Sequence, residues 1–131
     1  MREKPLVLLV DDEEVFLEIA SVQLQSKGFE TQMAHDAEEA ARKAEELIPD
    51  LILSDIYMPP GPNGWDLAFE LHRNPKTRDI RVAFFTSLRD PWAELLNSRR
   101  QLLGELNNVT FLSKTDDVGV LGTRVAELIG K

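Results

Sequence analysis

The chain has 131 residues, 43% hydrophobic and 29% charged, a size and composition suited to one globular domain with its own core. With no cysteine, a disulfide framework and thiolate metal sites are excluded, and a reducing, cytoplasmic setting is expected. The net charge of −8 repels nucleic acid and anionic lipid, so no direct binding to nucleic acid is expected.

In chain order, short apolar runs alternate with segments of helical periodicity. The first run, Pro5 to Val10, is too short for a signal peptide or a membrane span, so no membrane insertion is expected. It stops at Asp11-Asp12. A helical pattern (Val15, Phe16, Ile19, Ala20, Gln23) then continues to Lys27, where Gly28 is a suitable stop. Phe29 to Ala34 reads as a weaker, half-polar strand, placed near a sheet edge. Asp36 is positioned to cap the helix "AEEAARKAEEL", whose acidic residues come early, as the macrodipole prefers.

After Pro49, Asp50 to Asp55 reads as the third strand and Gly64 to His72 as a helix. "RNPKTRD" is a loop, and the continuous apolar run Ile80 to Thr86 a fourth strand. Asp90-Pro91 opens a helix to about Leu103, with proline at the first helical position. Val109 to Ser113 is the fifth strand, and the last helix runs from Asp116 to Ile129, capped by Asp116 or Asp117. Alternation of this kind implies a parallel sheet with helices on both faces, a doubly wound α/β fold over residues 1–131 as a single domain. Such sheets bind ligands beyond the carboxyl ends of their strands.

Those ends carry Asp11 and Asp12, Asp55, Thr86-Ser87 and Lys114. If the first and third strands are neighbours, three carboxylates converge, and their repulsion calls for a proton or a cation. An all-oxygen donor set suits a hard cation such as Mg²⁺. A lysine and a hydroxyl facing the same point suit a phosphoryl group, and an aspartate can serve as its nucleophile.

"LLVDDE", "LILSDIYMP", "FFTS" and "FLSK", in this order, resemble the motifs of the receiver domain of two-component response regulators. The resemblance covers nearly the whole chain. It implies a flavodoxin-like, five-stranded sheet in the order 2-1-3-4-5. Asp55 would be the phosphoacceptor, and Asp12 would bind Mg²⁺ directly, with Asp11 acting through a metal-bound water. The Tyr57 carbonyl would be a further metal ligand. Thr86 would hydrogen-bond the phosphoryl oxygen, Lys114 would pair with it, and Phe111 would be the switch aromatic. Expected partners are a histidine kinase or a histidine phosphotransfer protein, and an unidentified downstream protein. The chain would not be an enzyme beyond catalysing its own phosphorylation and dephosphorylation. It ends just after the last helix, so a stand-alone switch without an output domain is expected, signalling through the fourth helix, fifth strand and fifth helix.

Taken singly, these residues have ordinary alternatives. Asp11 and Asp12 could be helix caps, Asp55 a turn residue, Thr86 a β-branched strand residue and Phe111 core. Their coincidence in order favours the site. His35 and His72 have no second ligand or nucleophile at motif spacing and read as surface or packing residues.

The family pattern is broken in three places. Gly64 lies nine residues after Asp55, one more than usual; Thr115 stands where the family has a proline; and Thr86 to Lys114 spans 28 residues, about six more than in chemotaxis-type regulators. A cis bond without proline costs about 2.5–4 kcal/mol, so a trans bond before Thr115 is expected. In the lengthened segment, Trp92, Leu95 and Leu96 read as core contacts, or else as a docking patch beside Arg99 and Arg100. Tyr57 and Leu88 are poor activators of an attacking water, which implies a long-lived phosphoryl group. Two rival readings stand beside the switch: a phosphorylation-independent interaction module of the same fold, and a phosphohydrolase. Tyr57 occupies the place of the second aspartate that a phosphohydrolase needs.

Overall fold

The structure is a computed structural model that describes residues 4–55, 64–86, 109–113 and 121–129; for residues 85, 86, 109–113 and 121 it describes the backbone only. Five strands, β1 (Leu6–Val10), β2 (Glu30–Ala34), β3 (Leu51–Ser54), β4 (Arg81–Thr86) and β5 (Val109–Ser113), lie parallel and hydrogen-bond in the order β2-β1-β3-β4-β5. The described helices are α1 (Glu14–Ser26), α2 (Ala37–Leu47), α3 (Gly64–Arg73) and α4 (Leu121–Ile129). The segment expected to hold the helix from Pro91, and the Asp116 or Asp117 cap, lie outside the described residues.

Alternate residues of the buried strands serve the two faces. Val7, Leu9, Leu51, Leu53 and Ala83 pack with Leu17, Ala20 and Leu24 of α1 and Val125 of α4. Leu8, Val10, Ile52, Val82 and Phe84 pack with α2 and α3, where the Trp65 ring lies 4.5 Å from that of Phe84. Burial on both faces explains why β1 is apolar throughout and β3 apolar up to its last residue, Ser54, whereas β2, at the sheet edge, alternates with exposed polar residues. Arg81 reaches across to donate from Nη1 to the Leu128 carbonyl near the end of α4.

The helix ends follow local chemistry. α1 closes in a Schellman arrangement: Gly28 N–H donates to the Gln25 carbonyl and Phe29 N–H to that of Leu24, with Gly28 at φ 91°. The core face of α1 overlaps its apolar helical pattern only in part. Leu17, Ala20, Ser21 and Leu24 are buried, while Val15, Ile19 and Val22 face outward, because apolar residues populate both sides of this helix and periodicity alone does not choose between them.

α2 ends at Ile48, which adopts φ 46° and ψ 65° immediately before Pro49. A β-branched residue is strained in the left-handed region, and a following proline restricts it further. Ile48→Asn is therefore expected to raise the unfolding free energy by about 1 kcal/mol, read as a higher urea midpoint at unchanged slope.

Candidate functional site

The register of three strands builds the site. Val10 lies opposite both Ala34 and Ser54, so the residues that follow, Asp11, His35 and Asp55, leave the sheet at one level. Backbone bonds extend the ladder one step further: Asp11 N–H donates to the Ala34 carbonyl at 3.2 Å, and Asp55 N–H to the Val10 carbonyl at 2.9 Å. Each aspartate is thus fixed by the neighbouring strand before its side chain begins.

Asp11 is wholly buried, and its Oδ1 accepts from the Glu13 N–H at 3.0 Å. That local turn reverses the chain into α1 and leaves Asp12 exposed. Glu13, at the N-cap of α1, makes no side-chain capping bond. Asp11 therefore does serve the helix start, and it also belongs to the acidic group. One carboxylate oxygen each from Asp11, Asp12 and Asp55 lie within 4.8 Å of one another. The crowded site withholds water from the Asp12 carboxyl although its edge is open to solvent. That desolvation, with a hydrogen bond and repulsion from Asp11, raises its pKa above the ordinary carboxylate value. Three crowded hard oxygen donors fit Mg²⁺ by charge and by donor type.

Phe84 pairs with Ser54, and β4 continues two residues beyond it to Thr86, which pairs with Ser113. The backbone thus brings Thr86, and the chain leading to Lys114, to the same carboxyl edge as Asp55. Phe111 lies opposite Phe84 in β5. Tyr57, Leu88, Trp92, Leu95, Leu96, Arg99, Arg100, Lys114 and Thr115 lie outside the described residues.

Reading the sequence missed a polar bridge beside the acidic group. His35 Nε2 lies 2.7 Å from Glu14 Oε2, and its Nδ1 lies 3.3 Å from Glu39 Oε1. Glu39 Oε1 also accepts from the His35 N–H, while Asp36 caps α2 by accepting from the Glu39 N–H. Asp36 and Glu39 have capping-box spacing, which was a readable signal. Hydrogen bonds that the protonated ring donates to Glu14 and then Glu39 raise the His35 pKa above 6.5. Since the folded-state value is the higher one, the bridge stabilises fully below pH 6.5 and is lost as pH rises through the raised value. His35 is 50% exposed and Glu14 60%, so solvent screens most of this energy. His35→Gln should lower the urea midpoint slightly at pH 5.5 and leave it unchanged at pH 8.5. His72 is a packing residue, with Nδ1 buried and no hydrogen-bond partner among the described residues.

A sequence profile of the response regulator receiver domain matches residues 7–125. The DNA-binding dual master transcriptional regulator RpaA of Synechocystis is 32% identical over 84 residues, 64% of this chain and 34% of RpaA. The chain thus spans about a third of that relative's length, so the relative's whole activity does not transfer to it. Among solved structures, the chemotaxis response regulator CheY4 of Vibrio cholerae superposes with a TM-score of 0.78 at 23% identity, over 95% of this chain and 98% of that one. The receiver domain of the hybrid histidine kinase CckA gives 0.68 at 30% identity, again over 95% of this chain and 98% of that one. The parallel sheet layered with helices, the acidic group at its carboxyl edge and the match across residues 7–125 agree, and the chain belongs to the response regulator receiver domain family of two-component signalling.

Proposed function

We propose that this receiver acts as a phosphorylation switch with Asp55 as its acceptor. The observation that carries this reading is the convergence of Asp11, Asp12 and Asp55 within 4.8 Å at the carboxyl edge of the sheet. The donor is a phosphohistidine on a histidine kinase or a histidine phosphotransfer protein. An Asp55 carboxylate oxygen attacks phosphorus, the P–N bond breaks as the P–O bond forms, and the departing imidazole keeps the electron pair. Asp11, Asp12, Asp55 and the Tyr57 carbonyl would hold Mg²⁺, which supplies neutralising charge for the phosphoryl oxygens when bound.

In this reading the Thr86 hydroxyl donates to a phosphoryl oxygen and Lys114 pairs with another. The added charge biases a two-state arrangement of Thr86, Phe111 and the surface formed by residues 87–108, β5 and α4. Signal leaves through contact with a downstream protein in the cytoplasm. Action as a separate protein belongs to the same reading, and the mass of the polypeptide on an immunoblot of its source cells tests that part.

Incubation with acetyl phosphate and Mg²⁺ tests the switch. The intact mass should rise by one phosphoryl group, and chelation of the metal should prevent it. A protein that stays unmodified at every Mg²⁺ and acetyl phosphate concentration would instead be a phosphorylation-independent interaction module.

A further inference from the structure

Ser54 is the residue to which neither the fold nor the metal chemistry assigns a task. It ends β3 after Leu51, Ile52 and Leu53, is fully buried, and pairs with Val10 and Phe84 on the neighbouring strands. An apolar residue there would fill the space without a polar atom to satisfy. A buried hydroxyl costs free energy unless it finds a partner, and this one donates to the Asp55 carbonyl at 2.7 Å. The Asp55 N–H is held on the other side by the Val10 carbonyl at 2.9 Å.

We infer that Ser54 is a positioning residue for the phosphoacceptor, its buried hydroxyl fixing the Asp55 carbonyl and thereby the direction in which the Asp55 carboxylate is presented. With its N–H and C=O both anchored, Asp55 has little freedom in either backbone dihedral, and the bond to its side chain is aimed by the sheet. The carbonyl end of Asp55 is where the chain leaves the ladder and regular strand bonding stops. There the side chain of the preceding residue donates to the Asp55 carbonyl. The inference rests on the reading of Asp55 as acceptor.

The test compares wild type, Ser54→Ala and Ser54→Cys, measuring the rate of labelling by acetyl phosphate at saturating Mg²⁺ together with the Mg²⁺ midpoint. Loss of the restraint should slow labelling about 10-fold in Ser54→Ala while the Mg²⁺ midpoint moves by less than about twofold. Ser54→Cys, bulkier than serine but still a weak donor, should fall between the two, whereas packing alone would favour the smaller alanine. A general loss of packing would not produce that order at saturating metal. Thermal unfolding is followed in parallel, and if the alanine variant is unfolded at the assay temperature, the cysteine variant decides. Equal rates in a labelled wild type and the folded variants overturn this inference alone. A wild type that takes no label overturns the acceptor reading, and this inference with it.

Discussion

Asp55→Asn should take no phosphoryl group from acetyl phosphate, a fall in labelling rate of about 10³-fold or more. The amide is nearly the same size and shape as the carboxylate. The substitution therefore leaves the bond from its N–H to Val10 and the bond from Ser54 to its carbonyl in place. What it removes is the anionic oxygen that would attack phosphorus in the proposed transfer. Stability of the metal-free protein should rise rather than fall, because one of three crowded like charges is gone. Electrospray mass spectrometry of wild type and variant under identical labelling reads the first effect, and urea unfolding the second. Stoichiometric label on Asp55→Asn would remove Asp55 from the acceptor role.

The second large effect concerns the metal. If the acidic group binds Mg²⁺, the ion stabilises the folded state by mass action, about 2.7 kcal/mol at one hundred times the dissociation constant. For a chain of this length that corresponds to a rise of roughly 5–10 °C in the melting temperature. Asp12→Asn should abolish most of this rise. It should also melt higher than wild type when both are metal-free at pH 7. The sign follows from the pKa of Asp12, which lies above the ordinary carboxylate value because of desolvation and the neighbouring Asp11. A raised acid pKa in the folded state means that ionisation destabilises the fold, and that stability returns as pH falls into the carboxylate range. Thermal melts with and without Mg²⁺ read both effects. An undiminished Mg²⁺ shift in Asp12→Asn would place the ion elsewhere.

Much of this architecture was legible because it depends on short-range rules. Gly28, lacking a Cβ, ends α1 at positive φ, Asp36 caps the start of α2 with its carboxylate, and the half-polar run Glu30–Ala34 belongs at a sheet edge. Alternating apolar and helical segments were enough for a parallel sheet covered by helices. The acidic residues were visible too, since each closes an apolar run.

The features that stayed hidden depend on geometry the sequence does not encode locally. Asp11 and Asp12 are identical neighbours, and only the turn bonding Asp11 to the Glu13 N–H decides which is buried. Glu14 and His35 meet across 21 positions because β1 and β2 pair in register. A residue before proline favours extended backbone, yet Ile48, at the C-cap of α2, is left-handed. On α1, packing rather than periodicity chose the buried face: of the residues in its helical pattern, Ala20 lies inside while Val15 and Ile19 lie outside.

In the proposed switch one particular carboxylate, at position 55, takes the phosphoryl group. Borohydride reduces an aspartyl phosphate to homoserine, which leaves a permanent mark on the acceptor. Protein labelled with acetyl phosphate and Mg²⁺, reduced and digested, should yield homoserine at position 55 in the peptide beginning within β3, and unreduced aspartate at positions 11 and 12. Homoserine at position 11 or 12, or unreduced aspartate at all three in protein whose intact mass shows the added phosphoryl group, would contradict it.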